Sequence, residues 1–302
     1  ETHENYHSSF QMCRFGTNVK SLAASDQKAK HNTRALAKIM MDREKGASFS
    51  SGAPGSDLDF AARMKQFGEL YCSTFENNAE IGPLCQDTTG LPERVSNDVD
   101  FTRMVDTRYT IDADFTNTGF TDPAEEADEQ DIIALSKNLY ASDVFPFMPK
   151  HLIEQPDGQE AFLDMRSVMA IRSASRHSFA SIVGMRSKGT EGVAPYLKRI
   201  IHELGMPEDE IEEFIGRNPS YFAQMEVLTR KMYQNPVFYT NLYDKPENVR
   251  RTGVAMDAVK LMQDRDRFES ALRREMMISL ILELKVRDYQ DTMNNRLYSL
   301  AP

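Results

Sequence analysis

From Pro246 to Leu297 the chain reads as a single helix of about 50 residues, about 75 Å long at about 1.5 Å per residue. A compact domain of this size needs no such rod. Either the helix bends or breaks, or the molecule is elongated, and a long charged rod suits an assembly subunit. The rest of the chain has to be read around that constraint.

Helical spacing dominates upstream as well. From Thr17 to Lys45, Val19, Leu22, Ala29, Leu36, Ile39 and Met40 recur at the period that lines one helix face, and Gly46 ends the run. A Gly- and Ser-rich connector follows from Gly46 to Ser56. Ser56 or Asp57 is a good N-cap for a second helix through Leu58, Ala61, Met64, Phe67 and Leu70. The pair makes a helical hairpin. Further helices are expected from Asp128 to Tyr140, from Gln159 to about Arg186, from Ala194 to Leu204 and from Pro207 to Ile215. Gly205 and Gly216 stand just past the ends of the last two. Phe145-Pro-Phe-Met-Pro149 breaks the chain between regions, and Asn218-Pro219 opens another helix through Tyr221, Met225, Leu228 and Met232.

Residues 86–127 differ. Asp, Thr and Asn are frequent there, Gly90, Pro92 and Gly119 break the chain, and periodicity is weak. Phe101 to Ile111, rich in β-branched and aromatic residues, is expected to be extended or one arm of a hairpin. The resulting expectation is a mainly α, helical bundle-like, elongated fold in three regions. These are an N-terminal helical hairpin (1–85), an acidic loop-rich segment with one helix (86–150) and a C-terminal helical domain (151–302) ending in the long helix.

Composition narrows the function classes. With 40% hydrophobic residues in 302, the chain has enough apolar material for a core and is not a disordered polymer. Its 46 acidic and 36 basic residues give a net charge of −10, which repels phosphate backbones. Arg166, Arg172, Arg176, Arg186, Lys188, Lys198 and Arg199 are the candidates for a local basic patch. They are scattered among acids and apolar residues, so no nucleic-acid partner is expected. No run of about 20 apolar residues exists, so no transmembrane helix is expected either.

Cys72 and Cys85 flank a polar, turn-rich segment that a disulfide would close, a constraint worth about 3 kcal/mol in the loop-entropy treatment. The alternative is three reduced, inert thiols, Cys13 included. The chain begins at Glu1 rather than Met, which fits a mature exported protein, although a trimmed chain would begin the same way. Together these features favour an oxidising location, periplasmic or extracellular.

Motifs that carry chemistry are scarce. The six histidines, His3, His7, His31, His151, His177 and His202, are not read as metal ligands, and the Cys pair lacks the close spacing of a zinc site. Asp112, Asp114 and Asn117 alternate like calcium ligands, but Gly119 comes two places late and Pro123 stands where the last ligand belongs, so an acidic surface loop is the better reading. There is no P-loop, dinucleotide fingerprint or nucleophile elbow. Ser175 and His177 are near neighbours on one helix and point in different directions. Paired carboxylates are spatial and invisible to sequence, so a carboxylate-dependent enzyme stays open as a third reading. No catalytic residue, cofactor or metal is assigned.

The segment from Pro219 to Pro246 concentrates Tyr221, Phe222, Tyr233, Phe238, Tyr239 and Tyr243 between prolines. Such residues are favoured at protein interfaces. They would equally serve the chain's own core and corners. Both readings stand at this point.

Gly16-Thr17-Asn18-Val19, Pro219-Ser220-Tyr221 and Tyr243-Asp244-Lys245-Pro246-Glu247-Asn248-Val249, in their helical setting, resemble exported proteins of bacterial type IV secretion and conjugation loci. That resemblance implies a component of an envelope machine, comparable in role to helical minor-pilus subunits, and transfers no functional residue. The leading expectation is therefore a structural or interaction subunit of a bacterial envelope or extracellular assembly. It would work through helix-face and aromatic interfaces, with self-association or other assembly subunits as partners. The alternative is a monomeric periplasmic binding or adaptor module.

Overall fold

A computed structural model describes residues 8–45, 55–85, 92–116, 127–140, 144–145, 148–191, 197–198, 201–202, 211–212, 215–234 and 236–300. Side chains are described for these except 8–19, 55–57, 237, 241, 279, 283 and 286–300. The fold is mainly α, as the periodicity requires, and no strand occurs among the described residues. We number the principal helices α1 (Ser8–Glu44), α2 (Gly55–Gln66), α3 (Ala127–Leu139), α4 (Pro156–Arg186), α5 (Tyr221–Glu226), α6 (Pro236–Asn241) and α7 (Pro246–Leu300). The chain divides into two compact units, Glu1–Asn248 and Val249–Pro302, so the sequence boundaries near 85 and 150 both fall inside the first.

Unit 1 is organised by α1 and α4, which pack along each other. Their approach is close because Gly184 lacks a Cβ: one built there would lie 2.2 Å from Thr33 Oγ1 and 2.7 Å from the Ala29 carbonyl oxygen. Leu36 and Met40 of α1, Ile132 and Leu135 of α3, and Phe179, Ala180 and Val183 of α4 form the main core. Met104, Val105, Ile111, Ala113 and Phe115 complete it from the acidic middle segment. A smaller core joins Leu197, Ile201, Ile211 and Ile215 to Val227. Gly216 then takes the left-handed conformation (φ 79°) expected of a glycine past a helix end.

The expected extended segment 101–111 is corrected in its first half. Thr102–Asp106 forms a π-helical turn, closed by Thr107 N–H donating to the Thr102 carbonyl at 3.0 Å. The reason is that Met104 and Val105 are adjacent and both fully buried. A strand would send neighbours to opposite faces, whereas a helical turn can direct both inward. The second half bends at Thr107 and Tyr109 and ends at Ile111 in an isolated parallel bridge to Ser187.

The middle segment is fastened by side chains rather than by a ladder. Asp128 of α3 accepts two bonds from Arg108 at 2.7 Å and one from Asp112 N–H at 3.0 Å. Glu129 accepts from Asp114 N–H at 2.6 Å, and Asn32 of α1 accepts from Phe115 N–H at 2.7 Å. Burial is the largest influence on Glu129 and raises its carboxyl above the ordinary range, although the Asp114 amide opposes it. Above its ordinary value the folded protein therefore holds more protons than the unfolded one, and stability falls as pH rises through that window. Glu129→Gln should flatten this fall in urea midpoints measured across mildly acidic pH.

Cys72 and Cys85 are joined by a disulfide, with Cα atoms 5.4 Å apart, which closes the predicted loop. Within it Asn77, Asn78 and Ala79 all take left-handed φ values of 50°, 55° and 65°. Such a turn is unfavourable for Ala in particular and lies inside the covalent closure. Reduction should cost about 3 kcal/mol, read as a lower urea midpoint in the presence of reductant.

Unit 2 is the helix α7 from Val249 onward. The 55 residues of α7 correspond to about 80 Å at the standard rise. No helix among the described residues is long and apolar enough to cross a membrane.

Candidate interaction surface

Chemistry-bearing groups in unit 1 are first accounted for by internal pairing. Asp131 of α3, 1% exposed, collects Tyr71 O–H at 2.9 Å and the Asn97 amide at 2.6 Å, together with the Arg94 guanidinium. Burial and the neighbouring Asp131 carboxylate hold the Tyr71 hydroxyl far above the usual tyrosine range, so it stays a donor. Glu44, the last residue of α1, receives Arg172 at 2.8 Å and the fully buried Arg176 at 2.6 Å. Arg176 also donates to the Met40 carbonyl, at the negative end of the same helix.

Of the basic-patch candidates, Arg166 is exposed, Arg199 lies outside the described residues, and the other five, Arg172 and Arg176 above among them, are similarly engaged. Arg186 donates to the Asp106 and Arg108 carbonyls and stacks 4.1 Å from the Phe222 ring, Lys188 pairs with Asp112, and Lys198 pairs with Glu212. In the calcium-like stretch, Asp114 is drawn below the ordinary range despite its burial, by bonds from Thr116 and Lys28. Asn117 and Gly119 lie outside the described residues. No group of three or more metal-ligating side chains occurs among the described residues.

One sequence arrangement corrects the histidine reading. His3-Glu4-Asn5-Tyr6-His7 has the H-E-x-x-H spacing that places two histidines on one helix face with a glutamate between them. All five residues lie outside the described ones, and no metal is assigned to them.

The aromatic residues singled out in the sequence are split by the fold. Tyr221 is 4% exposed and sits in the first turn of α5, whose N-cap is Ser220. The Ser220 hydroxyl accepts from Ala223 N–H at 2.9 Å and donates to the Tyr109 carbonyl at 2.6 Å. Phe222 is half-buried, stacked on Tyr109 and under Arg186. Both residues thus pack unit 1 itself. Tyr233, Phe238 and Tyr239 form an edge-to-face chain with ring centroids 5.0 and 5.4 Å apart. It ends in the open: Tyr239 is 54% and Tyr243 94% exposed.

A second exposed apolar array lies on α7. Val254, Leu261 and Phe268 are 69%, 71% and 53% exposed, and Leu272 and Leu282 are also exposed. Val254, Leu261 and Phe268 are seven residues apart, and Leu282 is fourteen beyond Phe268. A seven-residue interval is nearly two full turns, so these positions stay on one face. Ala258 and Leu272 fall beside them at the three- and four-residue offsets of a coiled-coil seam, while Arg265 and Glu275 interrupt it. The signal of this repeat in the sequence is its interval of seven, which the length of the helix alone does not convey. The disulfide residues, Cys72 and Cys85, take no part in either array.

No family model, no curated protein and no solved structure matches this chain.

Proposed function

We propose that this chain is an interaction subunit that works by burying helix faces against protein partners, a second copy of itself first among them, and not by catalysis. The observation that carries the reading is the seven-residue apolar series on α7, exposed at Val254, Leu261 and Phe268. Leaving large apolar side chains in water along one face is unfavourable, and a facing helix removes that cost. Arg265 and Glu275 within the seam restrict which partner and register are accepted. The exposed pair Tyr239 and Tyr243 supplies a second contact of the kind favoured at interfaces.

The setting we propose is a bacterial envelope or extracellular assembly. The Cys72–Cys85 disulfide favours an oxidising compartment. The resemblance to exported proteins of type IV secretion and conjugation loci favours an envelope machine.

Burying one Leu or Phe side chain is worth about 1.5–3 kcal/mol. Leu261→Asp combined with Phe268→Asp should therefore weaken self-association more than about 100-fold, with unit 1 still folded. Sedimentation equilibrium of the wild type and variant checks this. Unchanged association would remove α7 from the interface, and Tyr239→Ala with Tyr243→Ala would then test the aromatic contact.

A further inference from the structure

We propose that unit 1 holds a binding site for a small organic acid, in a cavity between α1, α2 and α3, with the carboxylate on Lys137 and the apolar body against Ile39, Met40 and Ile133. The cavity has a volume of about 230 Å³. Its polar lining is Arg43, Asp59, Ser136, Lys137 and Tyr140.

Most of those polar groups are already satisfied. Arg43 of α1 and Asp59 of α2 form a two-pronged ion pair, with Nε 2.7 Å from the carboxylate. Ser136 donates to the Ile133 carbonyl at 2.7 Å. Lys137 is different. The residue is half-buried, and its ammonium has no hydrogen-bond or ion-pair partner among the described residues. The Tyr140 hydroxyl likewise makes no hydrogen bond among them, while its ring packs on Phe179 at 5.6 Å.

Arg43 and Arg63 oppose the charge of Lys137, and the Asp59 carboxylate, itself bound by Arg43, favours it. Burial first, then Arg43 and Arg63, lowers the proton affinity of Lys137. A ligand that carries one negative charge supplies the missing partner, and it gains most where water is already partly excluded. The aliphatic wall selects for an apolar body over a bare inorganic anion, and the volume fits a molecule the size of hexanoate or benzoate. The Lys137 ammonium disfavours amines and metal ions.

A lysine held this way destabilises the empty protein and serves only the bound state. Its substitution therefore separates a binding role from a structural one. Thermal unfolding of the full chain should be compared with hexanoate, benzoate and their neutral amides, for wild type and Lys137→Met. The expected result is that both acids raise the wild-type Tm and the amides do not. In Lys137→Met the acid effect is lost, while the variant without ligand unfolds at a higher temperature than wild type. Equal effects of acid and amide, no effect of either acid, or an acid effect that survives in Lys137→Met would overturn the proposal. If that variant does not fold, wild-type lysines carrying 13C-methyl labels give the answer. The resonance with the depressed titration midpoint should move upward on adding hexanoate, and a fixed midpoint would overturn the site.

Discussion

Asp131→Ala should lower the unfolding free energy by about 3–5 kcal/mol, the cost of stranding a buried charge. Asp131 is the single acceptor on which Tyr71, Arg94 and Asn97 converge, from three positions between the disulfide loop and the middle segment. Removing it leaves the Arg94 guanidinium, only 8% exposed, with its counter-charge gone. Asp131→Asn is no remedy, because a neutral amide leaves the Arg94 guanidinium without its counter-charge. Since whole domains are stable by only about 5–15 kcal/mol, the loss would be visible as a large drop in urea midpoint. Hydrogen exchange should rise first around Ser96, whose N–H is bonded to the Tyr71 carbonyl. A change under about 1 kcal/mol would mean that water reaches this network.

Glu44→Met should cost about as much, again about 3–5 kcal/mol, for a related reason with a different remedy. Glu44 and Arg176 are each 2% exposed, and Arg172 adds a second guanidinium to the same carboxylate. Desolvating such a pair offsets most of its attraction, so its two halves matter more singly than together. The double variant Glu44→Met with Arg176→Met should recover most of the loss. Urea unfolding of the four proteins in a mutant cycle checks both statements. Additive losses would show that the two residues do not depend on each other.

The helices were legible in the sequence where apolar residues keep a helical interval and a breaker closes the run. The expected helix from Asp128 to Tyr140 is Ala127–Leu139, that from Gln159 to Arg186 is Pro156–Arg186, and that from Pro246 to Leu297 is Pro246–Leu300. The Cys72–Cys85 closure was legible because a polar turn-rich stretch lies between the two residues. The turn at Thr102–Asp106 was not. β-branched composition suggested extension, but two adjacent side chains had to enter one core. The buried ion networks were hidden for another reason: Arg94 and Asp131 are 37 residues apart, and nothing local to either announces the other. The aromatic segment between Pro219 and Pro246 shows the same limit within a short stretch. Tyr221 and Tyr243 look alike as residues, yet the fold buries one and exposes the other. Lys137 is likewise ordinary in sequence, one charge in the last turn of a helix. Its meaning comes from α1 and α2 closing over it.

The most direct test of the central claim is the molar mass of the untagged full chain by light scattering, over a wide concentration range and with and without reductant. Self-association through α7 predicts a species heavier than the 34.4 kDa chain that dissociates on dilution and persists after the disulfide is reduced. A mass of 34.4 kDa at every concentration would contradict it.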